Sequence, residues 1–145
     1  MKVLWAIICE GTSIDKETNN ISLFNVLELV QVPEPPTENC KPGRPPVAPF
    51  SYRIVVSFCR SEPDRAERGA GRIRLVFPTE QVDGLFEEFD IDLENADRNT
   101  FVCHIPFIPI SGEGTYTYIV ESYTELSEWQ PLFEIPLEVS FEIGN

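Results

Sequence analysis

His104 is the chain's only histidine and directly follows Cys103. A thiol and an imidazole together can make a nucleophile and its base, but adjacent residues of an extended strand point to opposite faces and cannot pair in that way. No glycine-rich phosphate loop, GxSxG elbow or histidine-based metal motif occurs in the sequence. Cys9, Cys40, Cys59 and Cys103 show neither a CxxC pair nor metal-ligand spacing. Cys9, Cys59 and Cys103 lie inside apolar alternation, where free cysteine packs as a small hydrophobe, so all three are expected to be buried and reduced. Asp83, Asp90, Asp92 and Asp97 are the candidates for a calcium site of the kind sandwiches build from loop aspartates, yet Asp90 and Asp92 alternate with apolar residues and belong on the wet face of a strand. A carboxylate pair of the glycosidase type is not singled out among 24 acidic residues. The sequence therefore nominates no catalytic, metal or cofactor-binding residue. It reads as a non-enzymatic protein-interaction or accessory module, the alternative being a small-ligand-binding sandwich or a carboxylate-dependent hydrolase.

Charge layout carries the sharper signal. The net charge of −13 opposes nucleic-acid binding, and no nucleic-acid partner is expected. Between Lys41 and Arg74, eight basic residues stand against three acidic ones, a local +5, whereas 75–98 and 99–145 each carry −7. Two explanations follow. Basic and acidic strands can lie side by side in one sheet and neutralise each other, at about 0.2–1 kcal/mol per cross-strand pair. Alternatively Arg60, Arg65, Arg68, Arg72 and Arg74 form an exposed surface for an acidic protein, which includes a second copy of this chain.

Strands must position all of these groups. Tyr52, Ile54, Val56 and Phe58 alternate with other residues; so do Ile73, Leu75 and Phe77; Phe89, Ile91 and Leu93; and Phe101, Cys103, Ile105 and Phe107. Tyr116, Tyr118 and Val120 follow a turn at Gly112–Gly114, and Phe133, Ile135, Leu137, Val139, Phe141 and Ile143 form one face of a last strand. A further turn is expected at Asp83–Gly84. Pro106 and Pro109 mark a sheet edge or a bulge. The stretch 33–49 holds seven of the 13 prolines and reads as a long loop within a single domain spanning 1–145, with proline-rich docking as its functional alternative. About seven to nine antiparallel strands without a helical window predict an all-β, immunoglobulin-like β-sandwich; a small β-barrel is the alternative. Met1–Cys9 has only six consecutive apolar residues and bulky Ile8 before the cysteine, so it reads as a strand and not a secretion signal. A cytoplasmic protein with no membrane partner is the expectation.

Trp5-Ala6-Ile7-Ile8-Cys9-Glu10, then Asn20-Ile21-Ser22-Leu23-Phe24-Asn25-Val26, and later Arg74-Leu75-Val76-Phe77-Pro78 resemble a family of small, mostly bacterial, all-β domains of unknown function. The resemblance covers about the first 30 residues, and beyond them only a rhythm of strands. It implies a fold and no chemistry; the proline-rich insert and the acidic C-terminal half depart from the family pattern.

Overall fold

The structure is a computed structural model that describes residues 1–35, 46–79, 82–123 and 127–143. Nine strands follow one another: β1 (Lys2–Ile14), β2 (Ile21–Val26), β3 (Leu29–Val32), β4 (Val47–Cys59), β5 (Glu67–Val76), β6 (Val82–Leu93), β7 (Arg98–Pro109), β8 (Gly114–Tyr123) and β9 (Trp129–Phe141). They form two packed sheets, β2-β1-β4-β7 and β3-β9-β8-β5-β6, so the all-β sandwich is the architecture. Neighbours run antiparallel except β3, which pairs parallel with the end of β9. Among the described residues no helix is long and apolar enough to cross a membrane.

Period-two alternation decides which side chains enter the core. Ile8 of β1, Ile54, Val56 and Phe58 of β4, and Cys103 and Ile105 of β7 line the inner face of the four-stranded sheet. Ile73, Leu75, Ile91, Leu93, Tyr116, Tyr118, Val120, Ile135, Leu137 and Val139 supply the opposing face. Each full burial of such an aliphatic or aromatic side chain contributes about 1.5–3 kcal/mol. The buried Tyr52 and Tyr118 hydroxyls, one from each sheet, satisfy one another at 2.6 Å. Phe89 stacks on Phe101 at 3.8 Å between ring centroids and joins the two sheets at their β6–β7 side. Gly71 lies under that ring; a Cβ there would come within 2.5 Å of it.

Local chemistry shapes the connections. Asp15 Oδ1 accepts the backbone N–H groups of Glu17 and Thr18, closing the turn between β1 and β2. Gly112 and Gly114 adopt φ of 76° and 133°, which a side chain would resist. Beside them the Tyr116 hydroxyl donates to Gly112 O at 2.8 Å and accepts from Ser111 N at 2.7 Å, the hydrogen bonds of a tyrosine corner.

Several expectations need correction. The loop drawn through residue 49 ends earlier, because Val47–Pro49 already pair with β7; residues 36–45, including Cys40, Lys41 and Arg44, lie outside the described residues. Asp83 and Gly84 are not a turn but part of β6, with Asp83 opposite Leu75. A register shift between Pro49 and Tyr52 turns Pro106 and Phe107 outward in succession and brings Ile108 inside, so Phe107 is exposed. β9 supplies the core only from Ile135 to Val139; Phe133 is exposed, Phe141 half-buried, and Ile143 lies beyond the strand. β7 is the edge strand its prolines imply. Pro136 of β9 is tolerated because β3 pairs only with Glu138–Phe141, leaving the proline's missing donor on an unpaired stretch.

Candidate functional site

The five arginines of the expected contact surface part company in the fold. Arg72 and Arg74 sit on β5, on the outer face of the five-stranded sheet, and converge on Glu121 of β8. Arg72 Nε donates to Glu121 Oε1 at 2.8 Å; Arg74 donates through Nε to Oε1 at 2.5 Å and through Nη2 to Oε2 at 3.2 Å. The Arg72 guanidinium also stacks over Trp129, 4.2 Å from the ring centroid. Burial alone pushes the Glu121 carboxyl up, but the hydrogen bonds and charges of Arg72 and Arg74 outweigh it and hold the group below the ordinary carboxylate range. Arg60 is drawn into the β6–β7 turn, where it donates to the carbonyls of Leu93 and Glu94 and pairs with Asp97 at 3.2 Å, and it also donates to Pro63 O of its own loop. Arg68 stays exposed with Glu94 4.0 Å away, and Arg65 is exposed on the β4–β5 connection. Cross-strand neutralisation thus takes up Arg72 and Arg74, and the loop contacts of the β6–β7 turn hold Arg60.

The four-stranded sheet shows the opposite behaviour on its outer face. Register places its residues in rows: Lys2, Cys59 and Arg98; Trp5, Ser57 and Thr100; Ile7, Val55 and Val102; Val26, Cys9, Arg53 and His104; Phe24 and Gly11; Ser22 and Ser13. The centre is apolar. Val55 and Cys9 are fully buried yet stand apart from the core cluster, while Trp5, Ile7 and Val102 are half-buried and Phe24 and Val26 half-exposed. An antiparallel sheet with one face on the core normally turns polar residues outward, so this face is a departure from the pattern. Its charged members, Lys2, Arg53 and Arg98, are all cations, and none has a carboxylate partner among the described residues. Arg53 reaches back to the Thr12 hydroxyl.

His104 and Ser51 meet on this face, Nε2 to Oγ 2.8 Å, a contact that sequence spacing gave no means to find. Both are exposed, and Arg53 rather than a carboxylate stands opposite the histidine in the strand register. Cys103 points to the core while His104 faces outward, as strand geometry requires. Burial and the nearby Glu87 carboxylate push the Cys103 thiol up to about 12, and burial raises Cys9 despite a backbone hydrogen bond with Gly11 and the proximity of Arg53. In both cases burial disfavours the thiolate. Cys9, Cys59 and Cys103 are free; Cys59, expected buried, is partly exposed because it ends β4 on the outer face. Asp90 and Asp92 lie on the outer face of β6 opposite Ala70 and Arg68, and Asp97 pairs with Arg60. Among the described residues no three His, Cys, Asp or Glu side chains are grouped to hold a metal ion. Comparison with protein-family models and with curated proteins finds no match to this chain.

Proposed function

We propose that the chain is a non-enzymatic protein-interaction or accessory module on an immunoglobulin-like sandwich, and that it makes contact through the outer face of its four-stranded sheet. The observation that carries this reading is the row order of that face: an apolar centre of Trp5, Ile7, Val55 and Val102, flanked by Phe24 and Val26 and by unneutralised Lys2, Arg53 and Arg98. A flat apolar centre with a charged rim is the composition of a protein contact surface, whereas chemistry on a substrate calls for a concave site with converging polar groups. The tyrosine corner at Tyr116 and the parallel β3–β9 pair support the immunoglobulin-like description.

The arginine surface is the competing reading, favoured by the exposure of Arg65 and Arg68. Immobilised protein presented to an extract of the native host separates the two. On the proposed reading, capture of a specific protein survives Arg65→Ser with Arg68→Ser and is lost with Phe24→Glu. Loss in the arginine variant alone would transfer the contact to β5 and its preceding loop. Capture that neither variant alters removes both surfaces.

A further inference from the structure

The occupant of this face can be argued from charge and symmetry. A chain of net charge −13 repels its own copies wherever carboxylates meet, and the outer face of the four-stranded sheet carries none among the described residues. Along its length the face is also polarised. Lys2 and Arg98 share a row at one end, beside the start of β1, and the turn of Asp15, Lys16 and Glu17, net −1, closes the other end, beyond Ile14. A two-fold interface needs a surface complementary to itself, and opposite charges at the two ends of an apolar strip meet that requirement when the strip packs on its inverted copy. The five-stranded sheet offers no such strip: its outer face interleaves Glu88, Asp90, Asp92, Glu121, Glu134 and Glu138 with arginines.

We propose that a second copy of the chain docks here, the two four-stranded sheets packing outer face to outer face with their β1 strands antiparallel, so that Lys2 of each copy lies over the Asp15–Glu17 turn of the other. This rests on the outer face being the contact surface. Four strands about 4.8 Å apart and roughly eight residues of about 3.3 Å each give on the order of 500 Å² per copy. The total, near 1,000 Å², is at the lower bound of specific interfaces, so the dimer is a weak, reversible one. Half-buried Trp5, Ile7 and Val102 around a fully buried Val55 form a low surface that suits another flat sheet and not insertion among lipid chains.

Sedimentation velocity over about 1–500 µM, the range suited to so small an interface, is the test. The mass should rise from monomer to a dimer plateau, and Phe24→Glu should weaken association by tenfold or more. Phe24 is half-exposed, so the variant should fold; Thr100→Glu, exposed on the row of Trp5 and Ser57, is the second variant should it fail. Lys2→Glu should also weaken the dimer, and adding Asp15→Lys with Glu17→Lys should restore it. A wild-type chain that stays monomeric, a mass that grows without a plateau, or a dimer indifferent to Phe24→Glu would each overturn the proposal. So would a monomer that co-sediments with phosphatidylcholine–phosphatidylserine vesicles and leaves them on Phe24→Glu. A monomeric chain whose captured host protein is still lost on Phe24→Glu would end the self-docking idea while leaving the interaction-module reading intact.

Discussion

The two outer faces of this sandwich are built from the same alternation and treat charge in opposite ways. On the five-stranded sheet, arginines of β5 lie between carboxylates of β6 and β8, and Arg72, Glu121, Arg74 and Trp129 close into one partly desolvated group. On the four-stranded sheet, cations stand at the rim of an apolar surface without carboxylate partners among the described residues. A charge that already has an internal partner has little left to offer another molecule, and one that lacks a partner still has its full attraction available. Basic residues clustered in sequence are therefore a poor guide to a contact surface when they fall on a strand with acidic neighbours.

The largest effect should come from removing the shared carboxylate. Glu121→Ala leaves two arginines facing each other across a group that is 4% exposed, and should cost about 2–4 kcal/mol by denaturant midpoint, below the full figure for a deeply buried pair because the arginines are 22% and 30% exposed. A cost below about 0.5 kcal/mol, the level of an ordinary surface change, would show that the charges are solvated and available after all.

Acid should expose the same pairing. Because the folded Glu121 titrates below its ordinary 4.5, its contribution is fully present above that pH and drains away as pH falls through the folded value. Glu121→Gln should therefore lose less stability than the wild type between neutral pH and the acid limb of a thermal-melt series. Identical pH profiles would remove Glu121 as the source.

Val55→Ala tests whether the other face is dry. Two methyl-sized groups at about 0.8 kcal/mol each predict a loss of about 1–2 kcal/mol, although Val55 is outside the core cluster. A change under about 0.5 kcal/mol would mark the position as effectively wet. Thiol labelling sharpens the same contrast: among Cys9, Cys59 and Cys103, only partly exposed Cys59 should react quickly in the folded chain, and early reaction at Cys9 would mean that its face opens readily. The smallest effect is expected at Phe24. With half its surface in water, Phe24→Ser should alter monomer stability by no more than about 0.5 kcal/mol, so a large loss would make it a fold residue rather than a contact residue.

Much of the fold was legible because alternation is a local property. The runs Tyr52–Phe58, Ile73–Phe77, Phe89–Leu93 and Tyr116–Val120 each appear as strands with the expected inward residues. Exceptions arose where a bulge changed parity, as at Phe107, or where a strand outran its core, as at Phe133 and Ile143; neither depends on local pattern alone.

The sequence by itself determined an all-β chain with a charge that reverses along its length, since composition and period-two spacing require no partner to be read. Only the tertiary structure decided which charges meet. Arg72 and Arg74 find Glu121 nearly 50 positions away through the pairing of β5 with β8, while Arg53, Arg98 and Lys2 gather around Trp5 and Val55 through the pairing of β1, β4 and β7. Neighbourhood across a sheet is set by strand order and register, which depend on how every strand packs at once, and no residue's own sequence context contains that information.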